Sequence, residues 1–215
     1  MRRLRETDGT DQHKRAAMTH MGKLTLGGSS IHQELRAEMK PRFDKLKASE
    51  RSVSDARDVA VEAGAICDQA EIELENVFRD IDADLGKLDR AEPERNARAT
   101  AFPDGYGKEI DPEGEAQLAN LPVVRQRIEQ IGPHPLVTDV LTRFDAAVET
   151  FSTAVKADKT ADAQVELLFQ EELLARRAIR EQLEVAYGKL RGHYKSNPRR
   201  AEDFFLREGS RRKPE

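Results

Sequence analysis

Small and apolar residues recur every three or four positions from Val53 to Leu88: Ala56, Ala60, Ala63, Cys67, Ala70, Leu74, Val77 and Ile81 lie between them, with one polar member, Asp84. Steps of three and four keep every member on one stripe of a helix, the seam along which helices pack side by side. The first half of the seam is nearly all alanine, which predicts a close helix approach there, and the bulkier second half predicts a wider one. Val59, Ile66, Phe78 and Leu85 broaden the stripe, so the helix is expected to meet more than one neighbour. Ser52-Val53-Ser54-Asp55 supplies a start signal and Pro93 a stop, giving a helix from about Val53 to about Arg90. At 1.5 Å per residue it would be on the order of 55 Å long.

Before it, Ile31, Leu35, Met39, Phe43 and Leu46 repeat at helical spacing. Pro41 falls inside that run, so the pattern predicts either a helix that stops near Met39 or one that starts with Pro41 in its first turn. Residues 1–29 are polar, end at Gly27-Gly28-Ser29-Ser30 and show no sustained period, which predicts a flexible arm.

Residues 94–112 read as a long loop around Phe102-Pro103-Asp104-Gly105-Tyr106-Gly107, whose Pro-Asp-Gly order favours a tight turn. Asp111-Pro112 opens a short helix to about Ile131 that Pro122 interrupts or restarts, and Gly132-Pro133-His134-Pro135 stops it. A second seam, Val137, Val140, Phe144, Ala147, Phe151 and Ala154, predicts a helix from Pro135 to about Ala157. Asp158-Lys159-Thr160 is then expected to turn the chain into an antiparallel helix from Ala161 to Tyr194. Its inward stripe would be Leu168, Ala175, Ile179, Leu183, Ala186, Leu190 and Tyr194, with Glu172 and Arg176 paired on its outer face. Asn197-Pro198 starts a short terminal helix carrying Phe204-Phe205-Leu206. The fold expected is all-α: an elongated antiparallel bundle of three to four helices over 30–207, with the N-terminal arm before it and a basic tail over 208–215.

Composition agrees with helices over sheets. In 215 residues, 35% are charged, 5% are aromatic and none is Trp. The net charge of −4 conceals basic ends on an acidic middle: residues 1–30 carry six Lys/Arg against three Asp/Glu, and residues 186–215 carry nine against four. Such ends suit anionic partners, or the acidic body of the chain itself. A single cysteine excludes an internal disulfide, no apolar run is long enough to span a bilayer, and acidic residues follow the basic start where a signal peptide needs an apolar stretch. A cytoplasmic location is the expectation.

Catalytic patterns do not emerge. The five histidines lack a Glu three positions upstream and none is four residues from another, so the di-metal bundle pattern is missing, and each reads as a surface or tail residue. Counting a calcium loop from Asp111 puts Ala116 at the glycine position and Pro122 at the glutamate position. Neither phosphate-binding nor dinucleotide-binding glycine spacings occur. Cys67, on an alanine-rich seam, reads as a buried small hydrophobe, and Asp84 either selects register or turns to solvent. No enzyme activity, metal or cofactor is expected.

Two features are not needed by the core. Phe102, Asp104 and Tyr106 form a turn that either contacts a partner or, through Phe102, plugs one end of the bundle. Arg199, Arg200, Arg207, Arg211, Arg212 and Lys213 surround Phe204-Phe205-Leu206, which either docks the terminal helix or serves a nucleic acid or anionic surface. The function expected is a helical interaction or scaffold protein with a protein partner, and the alternative is anionic-surface or nucleic-acid binding through the basic ends. A homodimer would cover what the short segments leave open on the first seam.

Overall fold

A computed structural model describes residues 4–206. Arg207, Arg211, Arg212 and Lys213, with the predicted tail over 208–215, lie outside them. The chain is all-α: α1 (Thr10–Gly27), α2 (Ser30–Ala91), α3 (Ala97–Ala101), α4 (Gly107–Ile110), α5 (Gly114–Gln130) and α6 (Pro135–His193), with 3-10 turns at Pro93–Arg95 and Pro198–Phe204. No strand occurs among the described residues. The chain forms two compact units, Asp58–Ala163 and Met1–Arg57 with Gln164–Glu215. Helices α2 and α6 each contribute to both.

In the Asp58–Ala163 unit, α2 and α6 run antiparallel. The Asp84 carboxylate accepts a hydrogen bond from Arg143 at 2.7 Å, and a Cβ on Gly64 would lie 3.5 Å from Asp158. The bulky half of the seam closes a core there: Leu74, Phe78, Ile81, Leu85, Val140, Phe144 and Phe151 are all buried, and Val124 and Ile128 of α5 cover them from a third side. Asp84 therefore pairs across the helices, and Lys87 at 2.7 Å joins it, so the polar break ties α2 to α6 at one register. The hydrogen bonds from Lys87 and Arg143 hold its carboxyl below the usual carboxylate range.

The alanine half of the seam behaves differently. Ala56, Ala60, Ala63 and Cys67 are only half-buried, whereas Val53 and Ala70, at either end, are buried. Val59 and Ile66, expected to reach further neighbours, are 57% and 56% exposed.

Residues 93–112 are ordered rather than one open loop. The Asp89 carboxylate on α2 accepts from the amides of Ala97 and Arg98, at 2.5 and 3.0 Å, and so caps the first turn of α3. Arg98 reaches back with two charge-assisted hydrogen bonds to Asp82, at 2.6 and 2.5 Å. Phe102 is 3% exposed, 5.9 Å from the Phe78 ring. It is part of the core of this unit.

The other unit packs α1, the first part of α2 and the last part of α6 around Leu24, Leu35, Met39, Leu46, Ile179, Leu183 and Leu190. Here too α2 and α6 are antiparallel: Lys189 donates to Glu34 and Glu38, and Gln182 donates to Glu38. Gly28, in the left-handed region at φ 72°, ends α1 and lets the chain reverse into α2.

Further expectations give way to the structure. The arm is not flexible over residues 10–27, because α1 buries His13, Ala16, Ala17, His20 and Leu24. Pro41 neither stops nor starts a helix: it sits inside α2 on an exposed position, where water can meet the Ala37 carbonyl that loses its donor. The Ser52–Asp55 start signal accordingly falls in mid-helix. Asp158-Lys159-Thr160 continues α6 without a turn, since it contains neither Gly nor Pro and the Thr160 hydroxyl bonds back to the Lys156 carbonyl at 2.8 Å. Finally, His13, His20 and His32 are buried, not surface residues.

Candidate interaction surface

Consecutive Leu173-Leu174 and Arg176-Arg177 place apolar and basic side chains next to each other on α6, with Arg180 one turn further on. With Glu6 and Thr7 of the N-terminal segment they line an open groove of about 480 Å³. Leu174 is 62% exposed, so the groove has an apolar side chain open to solvent beside its arginines.

The polar wall is built from paired charges. Glu172, 4% exposed, accepts from the Thr10 hydroxyl and from Arg176 at 2.6 Å. Burial alone would raise its carboxyl, but these hydrogen bonds and the Arg176 and Arg57 charges outweigh burial and lower it. Arg176 also lies over the Phe169 ring, 5.6 Å from its centre. Arg180 is mostly covered, yet its carboxylate partner Glu6, 3.2 Å away, has a side chain 89% exposed. Arg177 pairs with Glu181 at 2.8 Å in the open. The wall thus has a buried pair, Glu172 with Arg176, and two further arginines whose carboxylate partners are exposed. Chemically, it can receive a carboxylate beside an apolar group.

The residues singled out from sequence are placed elsewhere. Phe102 is buried in the Asp58–Ala163 unit, Asp104 is exposed and Tyr106 is half-buried against the core. Arg199 and Arg200 are exposed on the C-terminal 3-10 turn, and Arg200 stacks 4.9 Å from the Tyr194 ring centre. Phe204 and Phe205 dock this turn, being 8% and 2% exposed. Cys67 is half-buried, and burial, with Asp158, Glu71 and Asp68 nearby, pushes its thiol up and away from reactivity. The groove went unnoticed because Glu172 and Arg176 read as an outer-face pair. The available signal was Leu173-Leu174, two leucines of which both lie off the inward stripe.

No group of three or more His, Cys, Asp or Glu that could hold a metal occurs among the described residues, and no described helix is long and apolar enough to cross a membrane. No protein-family model, curated protein or solved structure matches the chain.

Proposed function

We propose that this chain is a non-enzymatic, cytoplasmic helical scaffold whose antiparallel bundle presents the groove on α6 to a protein partner. The observation that carries the reading is Leu174, 62% exposed beside Arg177 and Arg180. Arginine is among the residues that protein interfaces favour, and the exposed leucine beside it adds apolar area for a partner to bury. Glu6 adds to it, since its exposed carboxylate already rests on Arg180, and a partner's acidic segment carrying an apolar side chain would make the same contact.

The test compares the parent, Leu174→Asp, Arg177→Glu and a control, Val123→Asp, as baits in native lysate. Val123, 48% exposed on α5, belongs to the other unit. One set of partners kept by the control and lost by both groove variants is the expected result. The same set on all four baits would refute the groove.

The alternative, binding of nucleic acid or an anionic surface, draws on exposed Arg199 and Arg200. Truncation is a poor test of it, because Ala201, Phe204 and Phe205 belong to the core. Arg199→Glu with Arg200→Glu, measured against mixed DNA and RNA across a salt series, is cleaner. Affinity that falls steeply with salt and vanishes in the double variant would put this reading first. A homodimer is read by light scattering, where a 24.2 kDa species at micromolar concentration would exclude it.

A further inference from the structure

We propose that the C-terminal turn Pro198–Phe204, with Phe205, is an acid-released latch, held closed by neutral His20 on α1 and neutral His32 on α2. Both rings serve as packing surfaces for it. His20 stacks on Phe205 with centroids 4.6 Å apart, and His32 stacks on Phe204 at 4.7 Å. Tyr194 lies parallel to Phe204 at 5.9 Å, and Tyr187 meets Phe205 edge-on at 5.6 Å.

The hydrogen bonds assign His20 its proton. His20 Nδ1–H donates to the Phe204 carbonyl at 3.0 Å, which leaves Nε2 as the bare nitrogen. That Nε2 is fully buried and has no hydrogen-bond partner. Protonating it in place would create an N–H⁺ facing no acceptor, a costly state away from water. His32 is met at both nitrogens: Nδ1 by the Ser29 amide at 3.3 Å and the Ser29 hydroxyl at 2.7 Å, Nε2 by the Tyr194 hydroxyl at 2.9 Å. Both hydroxyls can accept from a protonated ring, so His32 opposes protonation through its burial and the cationic groups beside it, not through a missing acceptor.

The surrounding charges reinforce this. Lys23, on α1, donates to the Phe205 carbonyl at 2.7 Å. His193 on α6 meets His32 edge-on at 5.9 Å, Arg200 on the turn stacks on Tyr194, and Arg191 on α6 covers Tyr187. The carboxylates of the turn, Glu202 and Asp203, are both exposed and engaged in interactions of their own. Undocking the turn would let each imidazole reach water and take its proton there.

Burial, then the Lys23 charge, lowers His20 from 6.5 to about 4, against the pull of the Phe204 carbonyl; burial, His193 and Arg200 lower His32. Because the docked state prefers the neutral rings, docking is at full strength above pH 6.5 and weakens as pH falls toward about 4. Each pH unit below 6.5 weakens docking by at most tenfold through His20, and His32 adds in the same direction.

The experiment is NMR of the full chain from pH 7.5 to pH 4, following histidine ring shifts and the ring-to-ring NOEs His20–Phe205 and His32–Phe204, with far-UV circular dichroism alongside. The expected result is loss of both NOEs below about pH 5.5 while helix content stays constant. His20→Asn, which keeps a donor for the Phe204 carbonyl but takes no proton, should move the loss to lower pH. NOEs that persist while His20 titrates near its ordinary value would overturn the latch. So would detachment only together with helix loss, or release of a folded His20→Asn at the parent's pH. Should that variant not fold, the parent titration alone decides.

Discussion

Phe78→Ala is the sharpest probe of how the Asp58–Ala163 unit holds together. Phe78 is fully buried, meets Phe144 edge-to-face at 5.8 Å and 82°, and lies 5.9 Å from Phe102. Truncating a buried phenylalanine costs about 3–5 kcal/mol, combining lost transfer energy with the cavity left behind. The two aromatic pairs, worth about 0.5–1.5 kcal/mol each beyond their area, place this site in the upper half of that range. A loss of ~4 kcal/mol is a large share of the roughly 5–15 kcal/mol of a typical domain. With a urea slope of about 1–3 kcal/mol per molar, the unfolding midpoint should fall by at least about 1 M. Because the chain has two compact units, a single bulk transition would mix them. Hydrogen exchange under increasing urea, read separately on α5 and on α1, resolves each. Protection on α5 should collapse early while that on α1 holds. Phe78→Leu should recover more than half of the loss. An alanine variant within about 1 kcal/mol of the parent on α5 would mean that Phe78 is not at the centre of a closed core, and the packing argument would fail.

Other consequences are smaller but equally definite. Pro41→Ala, at an exposed position inside α2, should stabilise the unit containing α1 by up to about 2–3 kcal/mol, since it restores a helical donor and removes a ring clash; a melting temperature at or below the parent's would contradict this. Arg98→Ala removes both hydrogen bonds from Asp82, whose side chain is 9% exposed, and should cost about 1–2 kcal/mol and loosen α3, seen as faster amide exchange over 97–102. Unchanged exchange there would mean that the Asp89 cap suffices to hold α3. Ala63→Leu should cost less than the roughly 1–3 kcal/mol of overpacking a closed core, because Ala63 is only half-buried; calorimetry showing a larger loss would place a tighter helix contact there.

What the residue pattern alone determined is the helical class and the places where helices must end. Pro93 and Gly132-Pro133-His134-Pro135 act locally, through a missing donor and a left-handed glycine at φ 92°, so no tertiary contact was needed to read them. The bulky seams were legible for the same reason: Leu74, Ile81 and Leu88, or Val140, Phe144 and Phe151, can reach low free energy only by facing inward. Pro41 was not legible, because a helix packed on either side of it, through Met39 and Leu46, absorbs a local penalty that an isolated one cannot; Asp158–Thr160 contains no Gly or Pro, so nothing local there forced a turn.

The first helix escaped detection for a different reason. Its inward positions are His13, Ala17, His20 and Leu24, a four-three-four spacing hidden because two members are histidines. Whether an imidazole counts as apolar depends on whether its nitrogens find carbonyl or hydroxyl partners. His13 finds the Gly9 carbonyl, His20 the Phe204 carbonyl and His32 the Tyr194 hydroxyl. For His20 and His32 those partners lie 184 and 162 residues away, so only the tertiary structure could turn them into core residues. The same holds for the groove on α6. Leu174, Arg177 and Arg180 lie on one helix, but the wall facing them comes from Glu6 and Thr7, far away in sequence.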